Sequence, residues 1–291
     1  MAANVTLREV ALEAGVHVST ASRALNPETR SIVNEETADR IREVAERLGY
    51  RPHPLARALR TQRTLTIGMT VPNLANPIFP MIYSGAGASL AEEGYALVIG
   101  GDSFLVTNDD HDGDDAEGPR LLLGDRVDGW IITEARMESR LPETMLRDKV
   151  PVVLVNRVAD LIGAPSIATD DYVGISLVIK HLIELGHTAI GHVAGPQRVS
   201  SGAIRRQAFV ECMEAEGLEV SDGLITQARA FRADAGQEAC EELLDSGEQF
   251  TAIIGADDLI ALGCYDALRE RGIHVPGEVS VTGNDDMPFI D

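Results

Sequence analysis

From residue 65 onward, short apolar, β-branched runs alternate with longer amphipathic stretches. The runs are LTIGMTV (65–71), YALVIG (95–100), DGWIIT (128–133) and PVVLV (151–155), then TAIGHVAG (188–195), GLITQARA (223–230), TAIIG (251–255) and VSVTG (279–283). The stretches between them, at 77–93, 115–126, 138–148, 171–186, 201–217, 234–246 and 257–272, predict helices. Strand alternating with helix predicts parallel sheets covered by helices on both faces. Roughly 230 residues of this rhythm exceed what one open sheet usually needs, so two subdomains are expected.

Residues 6–48 follow a different period and predict three helices with no strand. Thr6-Leu7-Arg8-Glu9 fits a capping box, and Leu7, Val10, Ala11 and Ala14 then form one apolar face. Gly15 permits the positive φ of a tight interhelical turn. A short second helix over 18–25 turns Ala21 and Leu25 inward and Val18, Ser19, Ser22 and Arg23 outward. A third follows Asn34, a good N-cap, with Glu35 and Glu36 in its first turn, a stripe of Ile41, Val44, Ala45 and Leu48, and Gly49 to end it. By shape alone this is any small helical bundle.

Charge narrows the choice. The whole chain carries −21, but residues 1–63 hold ten Arg against eight acids, while residues 64–291 hold 15 basic and 38 acidic residues. Five Arg and no acid fall within 47–63. A basic end on an acidic chain is what a nucleic-acid-binding segment looks like, although a solvated basic linker has the same composition. The 44% hydrophobic and 24% charged composition is that of a globular protein. No apolar run reaches the about 18 residues of a membrane span, and charges interrupt the N-terminal stretch where a signal peptide needs apolar residues, so a cytoplasmic protein without membrane partners is expected. Cys212, Cys240 and Cys264 form no CxxC pair, and the acidic segment 108–118 lacks EF-hand spacing, so no metal is expected. GAGASL at 85–90 lacks the third glycine of a dinucleotide fingerprint, and no P-loop, HExxH or GxSxG occurs. His181, His187 and His192 do not share one helix face. No catalytic residue and no cofactor are therefore expected.

VTLREVALEAGVHVSTASRALN and LGYRPHPLARALRTQRTLTIG closely resemble the N-terminus of the lac repressor (LacI/GalR) family. The resemblance continues through PNLANPIF (72–79), RVDGWIIT (126–133), HLIELGH (181–187), ADDLIALG (256–263) and SVTGNDD (280–286). It implies an all-α helix-turn-helix DNA-binding domain (1–50), a hinge segment (51–63) and an α/β periplasmic-binding-protein-like core (64–291) of two parallel-sheet subdomains, divided at 156/157. It further implies a homodimeric, effector-controlled transcriptional repressor that binds a near-palindromic double-stranded DNA operator.

The second helix would then lie in the major groove, with Arg23 suited to guanine, Val18 to a thymine methyl and Ser19 to several base edges. Thr6, Ser22 and Asn26 match phosphate contacts. His17 stands where the family usually has a serine cap; it either weakens the cap or touches phosphate. Residues 54–60 match the family's hinge helix, with Leu59 as a minor-groove wedge and Arg57 beside it. For a small-molecule effector, expected to be a carbohydrate, the resemblance and the strand-end rule point to Phe79, Thr133, Asn156, Arg157, Arg205, Phe231, Asp257 and Asp285. Family members continue beyond the position of Asp291, so a shortened second subdomain is also expected.

Overall fold

The structure is a computed structural model describing residues 5–27, 29–51, 58, 61, 63–99, 127–133, 137, 141–159 and 163–288 of the 291. The hinge positions Arg57 and Leu59, the acidic segment 108–118 and the helix expected at 115–126 lie outside the described residues. The chain divides into two compact units, Met1–Thr64 and Leu65–Asp291.

The first unit holds α1 (Leu7–Glu13), α2 (Val18–Ala24) and α3 (Glu35–Leu48), with a 3₁₀ turn at Arg30–Ile32. The capping box closes as the residues dictate: the Thr6 amide donates to Glu9 Oε2 at 2.6 Å, and the Glu9 amide donates to Thr6 Oγ1 at 3.4 Å. Gly15 and Gly49 take φ of 64° and 69°, turning the chain after α1 and ending α3. Small buried residues, Ala11, Ala21 and Ala38, let the helices approach around Val10 and Ile41.

The second unit contains two parallel sheets. In the first, β1 (Thr66–Met69), β2 (Ala96–Ile99), β3 (Gly129–Ile132), β4 (Val152–Val155) and β5 (Ser166–Ile167) run in the order β2-β1-β3-β4-β5. In the second, β6 (Ile190–Ala194), β7 (Ile225–Gln227), β8 (Ala252–Gly255) and β9 (Ser280–Thr282) run in the order β7-β6-β8-β9. α4 (Ile78–Glu92) and α5 (Leu141–Arg147) pack on the first sheet through Phe79 and Met145. Pro80 is tolerated because it lies in the first turn of α4, where no intrahelical amide bond is due.

α6 (Asp171–Glu184) and α7 (Ser200–Ala215) join one core of the second sheet through Ile175, Ile179, Phe209 and Met213. α8 (Ala233–Asp245) and α9 (Asp258–Glu270) build another through Leu243 and Ile260. The two-residue β5 carries no recognisable run and was not expected. It pairs Val155 with Ile167, so the first sheet extends past the expected division at 156/157. Among the described residues, no helix is long and apolar enough to cross a membrane.

Candidate functional site

α2 buries Ala21 and Ala24 and exposes Val18, Ser19 and Arg23, with Ser22 half-buried beside them. One apolar contact, small hydroxyls and a guanidinium therefore share a surface of suitable size for a groove. His17 resolves one open question of local chemistry, because it caps α2: its Nδ1 accepts from the Ser19 amide at 3.3 Å and lies 2.8 Å from Ser19 Oγ. Thr6 is exposed, its hydroxyl and amide both engaged with Glu9, and Asn26 is half-buried just beyond α2. The turn at Arg30–Ile32 occupies the loop between α2 and α3.

In the second unit, the carboxyl ends of strands from both sheets meet. The Met137 amide, beyond β3, donates to the Arg198 carbonyl, beyond β6, at 3.0 Å. The Val158 amide, beyond β4, donates to Ser200 Oγ at 2.9 Å. On the second-sheet side lies a buried charge network. Arg205 of α7 donates through Nε to Asp171 Oδ1 (2.7 Å), through one terminal nitrogen to the Ala256 carbonyl (2.6 Å) and through the other to Asp285 Oδ1 (3.2 Å). A guanidinium has more N–H donors than these three, so hydrogen-bonding capacity remains for a ligand.

Asp257 adjoins this network and caps α9 by accepting from the Ile260 amide at 2.8 Å. Burial pushes its carboxyl up to about 7, against the lowering effect of that cap bond, and Asp285 adds to the rise. Burial also raises Asp258, which accepts from the Met287 amide at 2.7 Å, and Asp285, despite Arg205 beside it. Asn156, Asp285 and Asp286 sit at strand ends with φ of 70°, 106° and 50°. Non-glycine residues held in the left-handed region store strain, and such positions cluster at ligand sites.

The structure thus brings Arg205, Asp257 and Asp285 together. It puts Asn156 and Arg157, both half-buried, at the end of β4. Phe231 is half-buried, with its ring where a Cβ on Gly195 would fall, 2.6 Å away. Two further expected ligand contacts are buried among protein partners. Phe79 is 3% exposed and packs with Met69, Val71 and Ile131 because the first turn of α4 folds onto the sheet. Thr133 is fully buried, its hydroxyl donating to the Thr70 carbonyl and its amide to Thr70 Oγ1, which ties the ends of β1 and β3. Asp171 and Ser200 were missed: Asp171 reads as an ordinary residue opening a helix and Ser200 as one just before a helix, and nothing in local spacing announces partners 34 and 42 positions away.

Residues 6–53 match the family of bacterial regulatory proteins, lacI family, and residues 179–291 match a periplasmic binding protein-like domain. The chain is 29% identical over 283 residues to the transcriptional repressor CytR of Escherichia coli K12, covering 97% of this chain and 80% of that protein. It is 31% identical over 291 residues to the transcriptional regulator CelR of Thermobifida fusca, covering 97% and 82%. Among solved structures, it is similar to the lac repressor dimer bound to operator and the anti-inducer ONPF, with TM-score 0.83, 25% identity and coverage of 98% and 84%. It is also similar to a CelR–cellobiose complex, with TM-score 0.65, 29% identity and the same coverages. The relatives are regulators of transcription rather than enzymes. With its helix-turn-helix unit and two parallel sheets, the chain belongs to the lacI family of bacterial DNA-binding transcriptional regulators.

Proposed function

We propose that the chain is a cytoplasmic repressor that binds a near-palindromic operator as a homodimer and is released by a carbohydrate effector. Two-fold symmetry in the protein matches two half-sites in the DNA. In this reading α2 enters the major groove, with Arg23, Val18 and Ser19 over base edges. Thr6, His17, Ser22 and Asn26 engage the backbone, and Leu59 and Arg57 the minor groove. The observation that carries the effector half is the buried Arg205–Asp171–Asp285 network beside Asp257. Carboxylates and a guanidinium at strand ends suit ligand hydroxyls, which both donate and accept. Asn156 and Arg157 approach from the end of β4, and Phe231 offers an apolar face. The effector must bind the two states of the protein unequally, and its coupling to DNA is reciprocal.

Genomic DNA selection with the purified chain, followed by mobility shift across mono- and disaccharides including cellobiose, tests both halves. The expected outcome is an enriched near-palindrome released by at least one sugar. No enriched palindrome would sink the operator reading. A complex indifferent to every sugar would sink the carbohydrate reading alone.

A further inference from the structure

The loop between β6 and α7 is built stiffly. Gln197 Nε2 donates to the carbonyls of Gly195 (2.8 Å) and Gly202 (3.2 Å), bracing the loop from inside. A Cβ at Gly202 would lie 2.2 Å from the Pro196 carbonyl oxygen, so the chain closes on itself at a place only glycine fits. Val199, the last residue of this connection, is 4% exposed although loops at a sheet end are normally solvated, and Ser200 and Ser201 in the first turn of α7 are equally enclosed. What covers this loop includes the other half of the unit: Met137 donates to Arg198, and Val158 donates to Ser200.

Ser200 is the informative residue. It opens α7, yet α7 has no side-chain cap at its preceding residue, and the Ser200 hydroxyl instead accepts from a main-chain amide of the first subdomain. Both bridging donors are backbone amides beyond first-sheet strands, and both acceptors lie within three residues of one braced loop. An acceptor pair on one braced loop and helix start, facing two donors from the other subdomain, has the form of a clasp: a movement of the halves would break both bonds together.

We infer that residues 198–200, the end of the loop and the first residue of α7, form a clasp that holds the two subdomains closed in the free protein, with Ser200 Oγ and the Arg198 carbonyl as its two catches. This rests on reading the space between the sheets as the effector cleft. The resting state is then closed on the protein's own atoms. The effector acts on an arrangement already populated, strengthening or breaking the clasp rather than assembling it.

Amide hydrogen exchange measured by NMR on the free full chain, with neither DNA nor sugar present, decides the matter independently of operator or effector. In the parent, the Val158 and Met137 amides are expected to be protected. Ser200→Ala should raise Val158 exchange by about fivefold to tenfold, the loss of one ordinary hydrogen bond. Met137 should rise with it, although its own acceptor is untouched, while Ile254 in the second-sheet core stays unchanged. Unprotected Val158 in the parent would overturn the proposal, as would a rise at Val158 without one at Met137. An equal rise at Ile254 would assign Ser200 to fold stability instead and overturn it too.

Discussion

Asp257 is asked to do two things that conflict. Its carboxylate caps α9, which favours the charged form, and it is 1% exposed beside Asp285, which favours the neutral one. Burial wins, and the group moves from its ordinary value of 3.8 to about 7. Folding therefore tightens proton binding. The gain is fully present below the ordinary value and is lost as pH rises through about 7. Asp257→Asn keeps an oxygen for the Ile260 amide and has no charge to bury. Denaturation curves of parent and variant are expected to coincide near about pH 4, with the variant ahead by about 1–3 kcal/mol above about pH 7. A gap independent of pH would contradict this account. His192 has the opposite sign: fully buried, with Nδ1 on the Ile254 carbonyl and its ring stacked on Phe209, it is lowered to about 4 chiefly by burial, so its neutral form belongs to the fold. At this scale, legibility depended on strand ends. Asp257 and Asp285 were readable because they follow recognisable runs, and Arg205, inside a helix, was readable only through the family resemblance. Asp171 was not, because an ion pair across 34 positions leaves no periodic trace.

Elements were legible where a period was strong. The helices of the first unit and most strands of the second fall where their apolar spacing put them. β5 escaped because two residues, Ser166 and Ile167, both exposed, cannot make a pattern. The tight fit of α8 against α9 was also invisible beforehand, since it depends on where two glycines meet. A Cβ on Gly263 would lie 2.2 Å from the Ala233 carbonyl oxygen and 2.4 Å from the Gln237 nitrogen, and one on Gly236 would lie 2.6 Å from the Ile260 carbonyl oxygen. The obstacles are backbone, which cannot swing aside. Gly263→Ala is therefore expected to cost about 3 kcal/mol, whereas overpacking against movable side chains costs less. Urea denaturation followed by circular dichroism measures it, and a loss below about 0.5 kcal/mol would mean that the helices slide apart freely. His17 illustrates a subtler point: an imidazole nitrogen supplies the acceptor that a serine would have supplied at the start of α2.

At the level of the whole molecule, charge is segregated along the chain: ten Arg and eight acids in residues 1–63, and 15 basic against 38 acidic residues in 64–291. The acidic part repels phosphate, so DNA affinity must come from the helical unit and its neighbouring arginines. Between about 0.05 and 0.2 M salt, binding of the full chain is expected to weaken at least tenfold, and residues 65–291 alone should show no DNA affinity at either end. Retention of DNA by that fragment in fluorescence anisotropy would refute the assignment of roles. The two-part plan was legible because both the charge balance and the hydrophobic period change near residue 64. The meeting of the two sheet ends was not, since hydrogen bonds between their loops leave no mark on composition. Trp130 is the chain's only tryptophan, 5% exposed in the first sheet with its ring where a Cβ on Gly68 would fall. Indole emission therefore reports on the first sheet alone. A fluorescence melt and a circular dichroism melt of this protein observe different parts of it, and any separation between them measures how independently the two sheets lose their structure.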